Sequence, residues 1–249
     1  MAQFTIEPNL AVDFEIRYED ADLLVVCKPS GVVTEPGKGH ARDSLLNGLF
    51  ARYGKWLQNL GEERDWGLLH RLDKDTSGLL IVALRSRAYD ALLEQFKKRS
   101  VKKTYWAVVL GTPKPAQGVI QKAILEVVGT RKRAVIHRNG QQAITAYRVV
   151  QSGDKVSLIE ASPKTGRLHQ IRVHMIDLGC PVLGEDEYKD RNQLPPVPRL
   201  ALHAAEVSFV HPTTGHRQIV TSEWPHDLKS MLKKFGLTPP HRDEKKSTE

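Results

Sequence analysis

The residues most able to do chemistry lie in HRLDKDTSG, residues 70–78, directly before the apolar run LLIVAL. A polar loop at the edge of a buried strand can hold reactive groups rigidly. Asp73 is a candidate nucleophile or base, and the neighbouring cations Arg71 and Lys74 favour its ionised form. The alternative is a surface loop in which Asp73 or Asp75 caps a turn. Two carboxylates this close in sequence do not establish a glycosidase-type acid/base pair.

A second group of polar residues lies in TGRLHQIRVH, residues 165–174. Helical spacing places His169 and Arg172 on one face. Arg172 has apolar neighbours, so we expect it to be partly buried and to need an anionic partner, which any carboxylate could provide. His169 and His174 are five residues apart rather than the four of helical zinc ligands, which argues against a metal site.

The composition is that of a folded domain with a basic surface. The chain has 249 residues, 40% of them apolar, which is enough for a packed core. Its 37 Lys and Arg exceed its 29 Asp and Glu, which leaves a formal net charge of +8. Such a surface suits nucleic acid because cations displace counterions from phosphates, although charge alone does not require that partner. Basic clusters at residues 97–103, 131–133 and 229–234 are phosphate contacts or simply solvated faces.

Signals for secretion, membrane insertion and cofactor binding are missing. The first ten residues, MAQFTIEPNL, lack the features of a signal peptide, and the longest apolar run is residues 79–84. Cys27 and Cys180 are far apart, which favours two reduced thiols over a disulfide or a thiolate zinc site. No glycine motif for phosphate or dinucleotide binding is present. We therefore expect a soluble, cytoplasmic protein without metal or cofactor.

Hydrophobic periodicity predicts the elements that position these residues. Strands are predicted at residues 14–20, 23–28, 78–86 and 103–110, with hairpins over 144–163 and 199–225. Helices are predicted at 44–54, with Asp43 or Ser44 as N-cap, and at 88–100, 168–179 and 227–237. This order predicts an α+β fold with a mixed, largely antiparallel central sheet and flanking helices. We expect one domain over residues 14–238, between an N-terminal arm, 1–13, and a flexible polar and basic tail, 239–249.

Five segments together resemble the RluA family of RNA pseudouridine synthases. They are KPSG (28–31), HRLDKDTSGLLIVA (70–83), KKTYWAVV (102–109), TGRLHQIRVHM (165–175) and RLALHA (199–204). The likeness extends from about residue 14 to 237. It implies a catalytic cleft in the centre of the domain and the isomerisation of uridine in structured RNA, without cofactor or metal.

The resemblance also implies roles by position. Asp73 matches the catalytic aspartate, Tyr105 the tyrosine that stacks on the target base, and Arg172 the basic residue that pairs with the aspartate. The substrate-binding set comprises Arg71, which would fill the space left by the flipped uridine, Leu202, which would form an apolar wall, and His70 and Thr76. KPSG matches a structural segment, so Lys28 is left outside the site.

The chemistry fits these residue types. Flipping a base costs a few kcal/mol, and stacking on Tyr105 would return about 1–3 kcal/mol. Asp73 would then assist cleavage of the bond between ribose and base, and the base would rejoin through carbon. Three routes stay open: attack on the sugar, attack on the ring, or removal of a sugar proton.

Two other functions stay open on the residues alone. A non-catalytic RNA-binding or ribosome-assembly protein could use the same cleft, but it would not need Asp73, Tyr105 and Arg172 together. A glycoside or nucleoside hydrolase would need a second positioned acid and would release free base. Only about 13 residues precede the first strand, too few for the RNA-binding module of many relatives. We expect a monomer that acts on RNA, with large-subunit ribosomal RNA favoured over transfer RNA.

Overall fold

The computed structural model describes residues 5–129, 132–188 and 194–240. Over these residues the chain forms eleven strands, four α-helices and one 3₁₀ segment at Glu62–Gly67. The strands are β1 (Glu15–Glu19), β2 (Leu23–Lys28), β3 (Ser77–Ala83), β4 (Lys102–Leu110), β5 (Gln117–Gln121), β6 (Ile124–Val128), β7 (Lys132–Ile136), β8 (Ile144–Ser152), β9 (Val156–Pro163), β10 (Leu202–Val210) and β11 (Arg217–Thr221). The helices are α1 (Leu45–Leu60), α2 (Ser86–Lys97), α3 (Gln170–Asp177) and α4 (His226–Lys234).

Nine of these strands form one sheet in the order β1-β2-β3-β10-β4-β9-β8-β5, with β11 beside β10. Within the described ranges, the pairing of β3 with β10 is parallel and the other named pairings are antiparallel. The predicted mixed, largely antiparallel sheet is therefore confirmed. The strands that carry the chemistry-bearing motifs, β3, β4 and β10, are neighbours in its middle.

The centre of the sheet is fully buried. Every residue of β3 is buried, and β2 is buried except for the half-buried Cys27. An uninterrupted apolar run is what a strand covered on both faces requires, because both sets of alternating side chains must leave water. Each buried Leu, Ile or Val contributes about 1.5–3 kcal/mol relative to an exposed one. This core gives the loop before β3 a rigid base.

Helix α1 begins where its capping signal predicts. The Ser44 hydroxyl accepts a hydrogen bond from the Asn47 amide, and the Asn47 side chain accepts one from the Ser44 amide. The helix extends beyond the predicted end at Gly54 to Leu60, because Leu57 and Leu60 continue its buried face. Glycine lowers helix propensity, but burial of this face outweighs that cost.

The region between β4 and β8 was not predicted from the sequence. It contains the sheet-edge strand β5 and a separate two-stranded sheet, β6–β7. The hairpin β6–β7 contacts α3 and buries only a few small or apolar side chains, among them Ile124 and Ala134. Most of its other residues are exposed. The alternation of apolar and polar residues by which strands are predicted is therefore weak in this hairpin.

The N-terminal segment lies against α1. The Asn9 amide donates to the Asn47 carbonyl at 3.0 Å, and the Asn47 side chain donates to the Glu7 carbonyl at 2.7 Å. Val12 is buried. Residues 1–4 of the predicted arm and 241–249 of the predicted tail lie outside the described residues, and the domain limits stay a prediction. No helix among the described residues is long and apolar enough to cross a bilayer.

Candidate active site

One cavity of about 620 Å³ brings the predicted site residues together. Its walls come from the loop before β3, from β4, from the start of β10 and from the turn that leads into α3. All seven predicted residues line it: Asp73, Tyr105, Arg172, Arg71, Leu202, His70 and Thr76. Two motifs far apart in sequence therefore share one site.

The Asp73 carboxylate faces two nitrogen donors. Its Oδ2 lies 3.6 Å from Nη1 of Arg172, and its Oδ1 lies 3.8 Å from Nε2 of His169. The predicted approach of Asp73 to Arg172 within ion-pair distance is confirmed. The Asp73 side chain is 21% exposed, so it stays accessible to a molecule in the cavity.

The strongest partner of Arg172 is a residue that the sequence analysis did not identify. Nε and Nη2 of Arg172 donate to the two oxygens of Glu185, both at 2.7 Å, and Nη2 also donates to Glu187 at 3.2 Å. Glu185 is fully buried and Arg172 nearly so. Burial lowers the pKa of Arg172, but its contacts with Glu185 outweigh burial and raise that pKa. The fork fixes the guanidinium while Nη1 stays directed at Asp73.

The backbone around Asp73 is held by Lys28 of the KPSG segment and by the nearby Thr34. The buried ammonium of Lys28 donates to the carbonyls of Pro29, Val32 and Lys74 at 2.8, 2.6 and 3.0 Å. The Thr34 hydroxyl donates to the Leu72 carbonyl at 2.8 Å. These contacts pin the residues on both sides of Asp73. They agree with the structural role expected for KPSG.

Gly78, at the end of the first motif, permits the parallel contact between β3 and β10. Its φ of +119° is unfavourable for residues with a side chain, and an added Cβ would lie 2.3 Å from the Ala204 carbonyl oxygen. Next to it, the Ser77 hydroxyl lies 2.9 Å from Nδ1 of the buried His203. This close approach fixes the register between β3 and β10, the strand that begins at Leu202.

Tyr105 and Lys103 project from the same face of β4. Residues two apart on a strand share a face, and both line the cavity. Tyr105 is buried, and burial, with a smaller effect from the Asp73 charge, raises its pKa well above the ordinary value. Burial lowers the pKa of Lys103 to about 8. Lys102 is exposed and does not line the cavity.

The other predicted residues differ in how far they reach into the cavity. Arg71 is 68% exposed, with Nη1 3.9 Å from Glu35. Nε2 of His70 accepts a hydrogen bond from the Ile81 amide, and burial lowers the pKa of His70 to about 3, so this imidazole is neutral. The Thr76 amide donates to the Asp73 carbonyl at 3.2 Å. His70 and Thr76 thus brace the loop as well as line the wall.

Three further residues that the sequence analysis did not place in the site are His169, which contacts Asp73, and its partners Glu187 and Tyr188. Nδ1 of His169 lies 2.5 Å from the Tyr188 hydroxyl and 3.4 Å from Oε2 of Glu187. The acidic run EDE at residues 185–187, which closely follows α3, was the available signal. His174 contacts Thr145 and the Lys122 carbonyl instead, so the two histidines of this motif do not share a ligand.

Comparison with known proteins places the chain among RNA-modifying enzymes. Residues 22–177 match the family described as RNA pseudouridylate synthase. An uncharacterized RNA pseudouridine synthase of Chloroflexus aurantiacus is 39% identical over 84% of this chain and 65% of the relative. The ribosomal large subunit pseudouridine synthase D of Zymomonas mobilis is 36% identical over 91% of this chain and 74% of the relative. The chain thus spans about two thirds to three quarters of the length of these relatives.

Solved structures show the same architecture. Human RNA pseudouridylate synthase domain containing 1 has a TM-score of 0.71 at 28% identity, over 96% of this chain and 94% of that one. Human RNA pseudouridylate synthase domain containing 4 has a TM-score of 0.70 at 27% identity, over 91% and 95% of the two chains. The likeness therefore extends over nearly the whole chain.

Proposed function

This chain belongs to the RluA-type family of RNA pseudouridine synthases, and we propose that it isomerises specific uridines in large-subunit ribosomal RNA. The ribosomal substrate is supported by the name of the Zymomonas mobilis relative. The net charge of +8 suits a polyanionic partner. A single domain can grip only a limited stretch of RNA, so recognition would rest on a local loop from which a base flips at low cost.

The catalytic proposal rests on one observation: Asp73, Tyr105 and Arg172 line the same cavity. A flipped uridine would enter this cavity and stack on Tyr105. Stacking on an aromatic ring contributes about 1–3 kcal/mol per base, which offsets part of the cost of unstacking. The buried leucine at the start of β10, Leu202, would form the apolar side of the pocket.

Asp73 would act on the reacting nucleotide. A carboxylate can form a covalent intermediate or accept a proton, and either use requires an ionised, aimed group. Arg172, which is fixed by Glu185, supplies a positive charge 3.6 Å from Asp73. The guanidinium of Arg71, which is exposed, would fill the place that the flipped base leaves in the RNA.

Tritium release tests the proposal directly. RNA labelled with tritium at carbon 5 of uridine loses the label when the base rejoins the ribose through that carbon. We expect the purified protein to release tritium from large-subunit ribosomal RNA and from a stem-loop fragment that contains the site. An RNA-binding protein would release none, and a nucleoside hydrolase would release labelled free base instead.

The same assay separates the two RNA classes. Transfer RNA labelled in the same way is the comparison substrate. Release confined to transfer RNA would overturn the proposed substrate and leave the enzyme class standing. Absence of release from either RNA, with the protein folded, would contradict the proposed function.

A further inference from the structure

His169 occupies an unusual position beside Asp73. It directly precedes α3 and has a left-handed backbone conformation, with φ 50° and ψ 24°. Such conformations are uncommon outside glycine, and at a functional site they persist only when the surroundings hold them. With this backbone, the His169 ring lies between two carboxylates, Asp73 and Glu187, at 3.8 and 3.4 Å.

Tyr188 and Asp73 together indicate which nitrogen of His169 carries the proton. The Tyr188 oxygen accepts a hydrogen bond from the Ala134 amide at 2.8 Å, and a backbone amide can only donate. Burial raises the pKa of Tyr188 to about 12, so the hydroxyl keeps its proton. The hydroxyl can donate that proton to Nδ1 of His169, 2.5 Å away, in the tautomer that carries the imidazole proton on Nε2, where it faces Oδ1 of Asp73.

The other tautomer fits these surroundings less well. It would point an unprotonated Nε2 at Oδ1 of Asp73, 3.8 Å away, so that a lone pair would face a negative oxygen. Its Nδ1 proton would be directed at the Tyr188 oxygen, which already accepts from the Ala134 amide, or at Oε2 of Glu187 at 3.4 Å. That same oxygen, Oε2, already accepts a hydrogen bond from Arg172 at 3.2 Å.

We propose that His169 is a positioning residue for Asp73: its neutral imidazole, held in one tautomer by the Tyr188 hydroxyl, presents the Nε2 proton to the Asp73 carboxylate. The proposal rests on the proposed function, in which Asp73 is the essential carboxylate. Arg172 faces one oxygen of the Asp73 carboxylate and His169 faces the other, so both oxygens are held in position. Catalytic hydrogen bonds commonly shorten when substrate binds, so contacts of this length can become hydrogen bonds in the reacting complex.

Neutrality of His169 matters for this role. Burial lowers its pKa and the charge of Arg172 acts in the same direction, while Asp73, Glu187 and Glu185 oppose them. A neutral donor orients the carboxylate without adding a second full positive charge beside it. A second cation would reduce the ability of Asp73 to attack or to accept a proton.

Three variants isolate the parts of this arrangement. Tyr188→Phe keeps the ring and removes the oxygen that contacts His169, together with the acceptor of the Ala134 amide. His169→Asn tolerates the left-handed backbone but is too short to reach Asp73. His169→Gln places an amide donor near the position of Nε2 and does not titrate. Tyr147→Phe is the matched control, because the Tyr147 hydroxyl donates to the Pro115 carbonyl and does not line the cavity.

Two measurements test the proposal in the full-length protein. Nitrogen-15 NMR of the histidine side chains, with His169 assigned by its loss in His169→Gln, reports the tautomer. We expect protonated Nε2 in the wild type and a shift towards protonated Nδ1 in Tyr188→Phe. Single-turnover rates on a labelled stem-loop should fall about 3- to 30-fold in Tyr188→Phe and His169→Asn. RNA affinity should change less than about twofold, and His169→Gln should keep a rate within about threefold.

Several results would overturn the proposal. One is protonated Nδ1 on His169 in the wild type. Another is a wild-type rate in Tyr188→Phe despite a changed tautomer, and a third is an equal rate loss in His169→Gln and His169→Asn. The NMR measurement needs no RNA, so it remains decisive if the wild type releases no tritium from any RNA. Absence of tritium release by the wild type would contradict the proposed function, but it would not contradict the proposed tautomer of His169.

Discussion

At the residue scale, the site centres on the carboxylate of Asp73. Two residues contact this carboxylate, and further residues hold those two in place. Asp73 faces Arg172 and His169, and Arg172 is in turn held by Glu185. The buried pair of Arg172 and Glu185 makes two hydrogen bonds at 2.7 Å, whereas the Asp73 contacts are more than 3.5 Å long. The short hydrogen bonds therefore lie between the supporting residues. The Asp73 carboxylate has only longer contacts, which leaves it free to bind a substrate.

Replacement of this carboxylate separates chemistry from binding. We expect Asp73→Asn to abolish tritium release, because an amide can neither attack nor accept the proton that the reaction transfers. RNA affinity should stay within about tenfold, or about 1.4 kcal/mol, since Asp73 is not placed to contact phosphates. Filter binding and tritium release on the same stem-loop provide the two readouts. Undiminished release by the variant would remove Asp73 from the mechanism.

The two adjacent lysines at the start of β4 should differ in their effects on RNA binding. Lys103 shares the cavity-facing side with Tyr105, whereas Lys102 is exposed outside the cavity. We expect Lys103→Ala to reduce the slope of log affinity against log salt by about 0.7, the value for one single-stranded phosphate contact. Lys102→Ala, the matched control, should change it less. A wild-type slope in Lys103→Ala would mean that Lys103 is not a phosphate contact.

The expected contact between Lys103 and an RNA phosphate should depend on pH, because it requires the charged form of the lysine. Burial lowers its pKa to about 8, so the ammonium is present at pH 7 and is lost as the pH rises through 8. Affinity of the wild type should therefore fall between pH 7 and pH 9 more than affinity of Lys103→Ala.

At the element scale, the site depends on how β3 and β10 meet. Gly78 allows the strands to approach, and His203 ties them together through hydrogen-bond contacts with Ser77 at 2.9 Å and with Ser222 at 3.1 Å. Ser222 follows β11, so one imidazole joins three segments of the sheet. Any disturbance of His203 should reach the loop before β3 and the wall formed by Leu202.

This buried histidine should make stability sensitive to acid. Burial lowers the pKa of His203 to about 3 in the folded state, against 6.5 for an unperturbed histidine. The unfolded chain therefore binds the proton first, and folded stability falls as the pH decreases below 6.5. Between pH 7 and pH 5 the expected loss from this group is about 2 kcal/mol.

Urea unfolding at the two pH values, compared for the wild type and His203→Gln, measures this loss. The variant should be less stable at pH 7 but should lose about 2 kcal/mol less on acidification. Parallel losses in the two proteins would show that His203 does not carry the acid sensitivity.

At the scale of the whole molecule, the candidate site residues line one cavity of a protein with a net positive charge. The cavity of about 620 Å³ lies between the loop before β3, β4 and the turn into α3. The hairpin β6–β7 borders it through Glu126 and Lys132. Under the proposed function, this cavity would receive one flipped nucleotide of the RNA.

Mapping of pseudouridine in cells that lack the gene tests the substrate at this scale. We expect loss of modification at one or more sites in large-subunit ribosomal RNA, restored by the wild-type gene and not by Asp73→Asn. Loss confined to transfer RNA would overturn the substrate while leaving the enzyme class standing.

The sequence by itself predicted most of the elements and the candidate reactive residues. Apolar runs predicted β2 and β3, helical spacing predicted α1, and the capping signal at Ser44 was confirmed. These features are local, because each depends on residues within a few positions of one another. The motif around Asp73 is also local, so it could be recognised without the fold.

Only the tertiary structure decided which residues support the site. Glu185 holds Arg172 and Lys28 clamps the loop, through hydrogen bonds that no periodicity encodes. The weakly alternating hairpin β6–β7 takes its place from packing against α3, and the helix α1 runs past Gly54 because its later leucines are buried. The orientation of His169 likewise depends on Tyr188, which lies beyond α3. Such contacts join segments that are distant in sequence, and chain folding alone brings them together.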